Sequence, residues 1–125
     1  EILPHEVAVF VRSESELKRA TEAVAAAGLK PVVLDEKLAS APTNVSVSTM
    51  HLAKGLEFRA VVVMACDDEV IPSQSRIETV GDEAELEDVY NTERQLLYVA
   101  CTRARDYLLV TSGGDASEFL DDLRV

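Results

Sequence analysis

Between two apolar runs, the chain places Thr49, His51, Lys54, Gly55 and Glu57 close together. A hydroxyl and an imidazole can donate to phosphate or sugar oxygens, a glycine lets a ligand approach the backbone, and a carboxylate can accept from a sugar hydroxyl. Lys54 adds an ammonium, either as a local structural contact or as a phosphate contact. Two arginines extend the set: Arg103 near the end of a predicted helix, and Arg12 directly after an apolar run. Guanidinium forks suit phosphate. These residues can hold a phosphorylated ligand, but they lack a hydrolytic centre of their own. No Gly-x-Ser-x-Gly elbow occurs, and no carboxylate pair stands clear of the acidic stretch discussed below. Cys66 and Cys101 form no Cys-x-x-Cys pair and have no clustered histidines beside them, so buried thiols are expected and no metal site.

The elements that must position these groups alternate. Val7–Val11 is an apolar strand ending at Arg12. Ser13 with Glu16 fits a capping box, and Leu17, Ala20, Val24 and Ala27 recur at helical spacing until Gly28 stops the helix. Pro31–Leu34 is a second strand, so strand, helix and strand form a parallel crossover unit. Val45–Thr49 alternates as a half-buried strand does, whereas Ala60–Ala65 is a continuous run suited to a buried central strand. The polar segment is therefore the connection leaving a strand end. Asn91 or Thr92 can cap a helix reaching about Arg103, with Leu96, Ala100 and Arg103 on one face and Arg94 and Arg105 opposite. Tyr98 and Thr102 are expected to support that helix and its neighbours. A strand over Tyr107–Thr111, a turn at Ser112-Gly113-Gly114 and a last helix from about Ala116 to Leu123 complete an α/β pattern.

The 125 residues suffice for one domain, spanning 1–125. The net charge of −11 is concentrated between Asp67 and Glu93, and residues 67–90 are expected to form an acidic, flexible loop. Polyanions are repelled by such a surface, so the chain alone should bind nucleic acid weakly. Neither a membrane span nor a signal peptide is recognisable, and a soluble, cytosolic, monomeric fragment without membrane contact is expected.

Thr49-Met50-His51-Leu52-Ala53-Lys54-Gly55-Leu56-Glu57-Phe58 resembles motif V of superfamily 1 helicases of the UvrD/Rep/PcrA type, and Glu93 to Arg105 resembles motif VI of the same family. The two occur in the family's order and spacing, and Val9-Phe10-Val11-Arg12-Ser13 is similar to motif IV. The resemblance implies an α/β, parallel-sheet RecA-like fold with helices on both faces, the second motor domain of such a helicase. No Gly-x-x-x-x-Gly-Lys-[Ser/Thr] phosphate loop is present. ATP and Mg2+ would therefore be held mainly by a separate N-terminal RecA-like domain.

In that setting Arg103 corresponds to an arginine finger on the γ-phosphate and Arg12 to a further phosphate contact. Glu57 would approach the ribose hydroxyl, with the backbone at Gly55 close to the nucleotide. Thr49 and His51 would contact single-stranded DNA. On position alone, Arg103 fits equally an arginine satisfying the last carbonyls of its helix, and Arg12 an ordinary surface arginine. The ten residues Asp35–Asn44 stand where larger members carry an inserted domain. A RecA-like domain kept as a protein-interaction or regulatory module is the alternative function.

Overall fold

The computed structural model describes residues 2–34, 43–53, 56–64, 66, 74–112 and 117. Five strands form one sheet: β1 (Val7–Val11), β2 (Pro31–Val33), β3 (Val45–Thr49), β4 (Phe58–Val63) and β5 (Ala104–Val110). Their spatial order is β2-β3-β1-β4-β5, and every neighbouring pair is parallel. All five strands thus end at one edge of the sheet, and all five begin at the other.

Alternation along β1 divides the interior in two. Val9 and Val11 join Val45 and Val47 under α1 (Leu17–Ala26), which contributes Ala20 and Val24. Ala8 and Phe10 point the other way, joining Val61, Val63, Phe58 and the buried side of α3 (Glu83–Thr102), where Leu97, Ala100 and Cys101 lie. The central strand is apolar on both faces because both are covered, as parallel sheets require. Phe10 and Phe58 meet edge to face, with ring centroids 6.1 Å apart. Both cysteines are buried free thiols, and burial pushes Cys101 up to about 11, so it stays protonated at neutral pH.

Several elements begin elsewhere than their residues suggest. The Ser13/Glu16 capping box does not form, because Glu14–Glu16 makes a 3-10 turn ahead of α1. Ser13 Oγ instead meets Ser15 Oγ at 2.9 Å, and Glu16 pairs with Arg19 at 3.0 Å. The helix expected from Asn91 or Thr92 already starts at Glu83, so part of the expected acidic loop is helical. Asp82 caps it by accepting from the Glu85 backbone N–H at 2.9 Å, and Glu83 and Glu85 lie at the positive end of the helix dipole. A short α2 (Gln74–Glu78) precedes it. Residues 67–73, the Gly113-Gly114 part of the predicted turn and all but Ser117 of the predicted last helix lie outside the described residues. Strand β4 begins at Phe58 rather than Ala60, and β5 at Ala104 rather than Tyr107, because the Phe58 N–H donates to the Arg103 carbonyl at 2.9 Å and starts that ladder directly below α3.

Gly28 ends α1 at φ +82°, and a Cβ built there meets no atom within 4 Å. Substitution therefore costs only the left-handed backbone conformation, about 1 kcal/mol for a residue with a Cβ. Gly28→Ala should lower the unfolding free energy by about that amount with an unchanged m-value, as read from urea denaturation.

Candidate functional site

Strand direction decides where the candidate residues fall. Arg12 follows β1 and Thr49 ends β3, so both stand at the carboxyl edge; His51 lies in the 3-10 turn Met50–Leu52 that comes next. Glu57 precedes β4 and Arg103 precedes β5, which puts both at the opposite, amino edge. The structure does not gather the predicted residues into one pocket. It sorts them into two groups separated by the height of the sheet, roughly 16 Å for a strand the length of β4.

One segment joins the groups. The chain from Met50 to Glu57 must return from the carboxyl edge to the amino edge before β4 can begin, and it does so on the α3 face. Met50 and Ala53 are buried there with Ala8 and Phe10, and Leu56 packs against the same cluster. The Ala53 N–H donates to Met50 O and the Leu56 N–H to Ala53 O, which keeps the segment tightly turned. Lys54 and Gly55 lie outside the described residues. Helix α3 runs alongside in the same sense, with Glu93 near the carboxyl edge and Arg103 at the amino edge. A cleft of about 210 Å³ opens between them, lined by Met50, His51, Thr92, Gln95, Leu96 and Val99.

At the amino edge the Arg103 guanidinium bridges both segments. Its Nε donates to Val99 O at 3.2 Å, Nη1 to Leu56 O at 3.3 Å and Nη2 to Thr102 Oγ1 at 3.1 Å. It caps the end of α3 and fastens the end of the connector in one contact set. Every one of these acceptors is neutral, and among the described residues no carboxylate pairs with Arg103. Glu57 is exposed, with Arg105 at 3.9 Å as a solvent-screened companion. Thr102 supports the helix end, donating to Val99 O at 2.8 Å and accepting from Arg103, whereas Tyr98 is 65% exposed.

At the carboxyl edge Arg12 is neither on the surface nor free. It is 6% exposed and forms a two-pronged pair with Glu93, Nε to Oε1 at 2.8 Å and Nη2 to Oε2 at 2.6 Å. Glu93, 1% exposed, also accepts from Arg76 Nη1 at 2.9 Å. Neither Glu93 as the partner of Arg12 nor Arg76 as a second partner of Glu93 stands out in the sequence. Glu93 reads as a first-turn acid and Arg76 as part of the acidic stretch, and only the meeting of β1 with α3 makes them neighbours. His51 is exposed, yet its pKa lies below the ordinary 6.5, first through partial burial and then through the Arg12 charge, with Glu93 opposing and Arg76 adding.

A family model described as the UvrD-like helicase C-terminal domain matches residues 6–113. The chain belongs to that family. Among relatives of this UvrD-like domain, YjcD of Bacillus subtilis is 46% identical over 70 residues, 54% of this chain and 9% of YjcD. The ATP-dependent DNA helicase PcrA of Staphylococcus aureus is 38% identical over 80 residues, 64% of this chain and 10% of PcrA. The matched segment thus spans about a tenth of each relative's length. Among solved structures, the C-terminal domain of a possible DNA helicase from Lactobacillus plantarum aligns with a TM-score of 0.65 at 30% identity, over 95% of this chain and 63% of that one. The parallel α/β sheet with helices on both faces is therefore that of a helicase C-terminal domain. Among the described residues, no helix is long and apolar enough to cross a membrane.

Two outcomes follow from the carboxyl edge of the UvrD-like domain. Glu93→Ala leaves the Arg12 guanidinium buried without its partner and should cost about 3–5 kcal/mol, whereas Arg12→Met with Glu93→Leu should recover most of that loss; denaturant titration of the three proteins distinguishes them. Because His51 is harder to protonate folded than unfolded, its contribution to stability is present above pH 6.5 and is lost as pH falls towards its lower folded value. Thermal midpoints measured from pH 7.5 to 5 should decline less steeply for His51→Gln than for the native chain.

Proposed function

We propose that this domain is the second motor half of an ATP-dependent DNA translocase, closing over a nucleotide held by a separate N-terminal RecA-like domain. The observation that carries the reading is the charge state of the amino edge. Arg103 is a half-exposed guanidinium supported by neutral oxygens alone, ready to exchange them for a phosphate. Charge-assisted bonds to phosphate are roughly twice as strong as those to neutral acceptors, so the exchange favours the closed, nucleotide-bound arrangement. Arg103 then neutralises charge as the phosphoryl group departs, an arginine-finger role worth about 10³ to 10⁵ in rate in other nucleotidases.

Glu57, exposed beside it, is suited to accept from a ribose hydroxyl, and Gly55, by its motif position, would let the nucleotide approach the backbone. The side chains at this edge fit a phosphate and a sugar rather than a cation, so Mg2+ is assigned to the partner domain together with the phosphates it neutralises. Thr49 and His51 face single-stranded DNA at the other edge, where a hydroxyl and an imidazole can donate to phosphate or sugar oxygens.

Arg103 also offers a route between the two edges. Its bond to Leu56 O fastens the connector, and the other end of that connector carries His51 and follows Thr49. When a phosphate draws the guanidinium away, Leu56 loses this restraint and the connector can reset against α3. Nucleotide state is thereby read at the DNA edge. Arg12 has a different task in this scheme. With its fork committed to Glu93, it positions α3 against the end of β1 rather than touching the nucleotide.

The test is ATP hydrolysis by the parent protein with and without single-stranded DNA. DNA-stimulated turnover is expected, and Arg103→Ala should lower kcat by about 100-fold or more while nucleotide binding persists. Absence of stimulated hydrolysis, or indifference to Arg103→Ala, would overturn the motor reading in favour of an interaction or regulatory module.

A further inference from the structure

Glu93 holds two guanidiniums on one carboxylate, and the two are not equivalent. Arg12 is sealed in, its side chain 7% exposed, while Arg76 reaches Oε2 from α2 with its side chain 39% exposed. Arg76 spends Nη1 on Glu93, and among the described residues no acceptor engages its Nε or Nη2. The three groups together leave one positive charge in excess on a chain whose net charge is −11. That excess stands at the carboxyl edge, beside an imidazole whose pKa responds to Arg12, Glu93 and Arg76 alike.

We propose that Arg76 is a phosphate-binding residue of the single-strand path, its open donor edge receiving a phosphodiester beside His51 while Glu93 holds the guanidinium in place. The proposal rests on the reading of Thr49 and His51 as DNA contacts and adds to it a residue outside the family motifs. A guanidinium carries five N–H donors in a fixed fork, so Arg76 can keep its bond to Glu93 and still present a pair of donors to a phosphate. Binding there leaves the Arg12–Glu93 pair intact and requires no new buried charge. The neighbouring cleft suits what is attached to such a phosphate. Met50, Leu96 and Val99 supply an apolar floor for a sugar or an unstacked base, and Gln95 and Thr92 supply neutral donors and acceptors at its rim. An acidic protein segment would place carboxylates over this apolar, uncharged cleft, so nucleic acid is the better match.

The experiment is a salt series of labelled oligo-dT binding to the parent protein without nucleotide, read by fluorescence anisotropy, with a thermal midpoint for every variant. Each phosphate neutralised on a single strand contributes about 0.7 to the slope of log K against log salt. Arg76→Gln should weaken binding about 5- to 20-fold at low salt and make the slope shallower by about that 0.7, with an unchanged midpoint. Arg76→Lys should restore the slope. A wild-type slope in Arg76→Gln while His51→Ala weakens binding would overturn the proposal and leave the DNA reading of His51 standing. Loss of neither would overturn both. Weakened binding accompanied by a lowered midpoint that Arg76→Lys does not restore would assign Arg76 a structural role only, and would also overturn the proposal.

Discussion

Strands β3 and β4 run in the same direction with β1 between them, and this constraint governs where everything else can be. A chain leaving β3 at the carboxyl edge has to recross the sheet before it enters β4. Parallel connections usually spend a dozen or more residues on the return, commonly as a helix. Here Met50–Glu57 makes the crossing in eight residues, too few for a packed helix of its own. It forms a strap whose residues Met50 and Ala53 are buried over Ala8 and Phe10. Its two ends emerge at opposite edges, which is why one sequence motif places its residues at two separate edges of the sheet.

Helix α3 makes the strap meaningful. It descends beside it over the same face, tied to β1 at one end through Arg12 and Glu93 and to the strap's far end through Arg103 and Leu56 O. The upper tie is a buried ion pair, whose attraction must offset the desolvation of both charges; its geometry and second prong are what make that possible. The lower tie is a set of bonds to neutral oxygens, individually worth about 1 kcal/mol. Helix α3 is thus anchored firmly to β1 near the carboxyl edge and fastened only lightly to the strap at the amino edge.

Much of the architecture was legible because it rests on local rules. The apolar runs marked β1, β2 and β3, helical spacing marked α1, and Gly28 supplied its stop with the positive φ that the turn demands. The place of Thr49 at a strand end and of Arg103 at the end of a helix was legible from pattern and motif. What stayed hidden depends on which elements meet. Arg12 and Glu93 are separated by 81 positions, and no periodicity in either segment encodes that contact. The start of α3 was obscured because its first turns are acidic: charge that reads as a solvated loop serves equally well at a capped helix N-terminus. The division into two edges appeared only once strand direction was combined with strand order.

The sharing of Glu93 also bears on how such a domain can change over generations. A single substitution at Arg12 or Glu93 strands a buried charge, so neither position can drift alone without passing through a poorly folded intermediate. Arg76 is under a weaker hold, since its exposure lets water take over its donors. Lineages of this domain should therefore alter the inner pair jointly and seldom, while the outer arginine varies more freely. Relatedness within the family would be recorded at Arg12 and Glu93, and change tolerated a few ångströms away at Arg76.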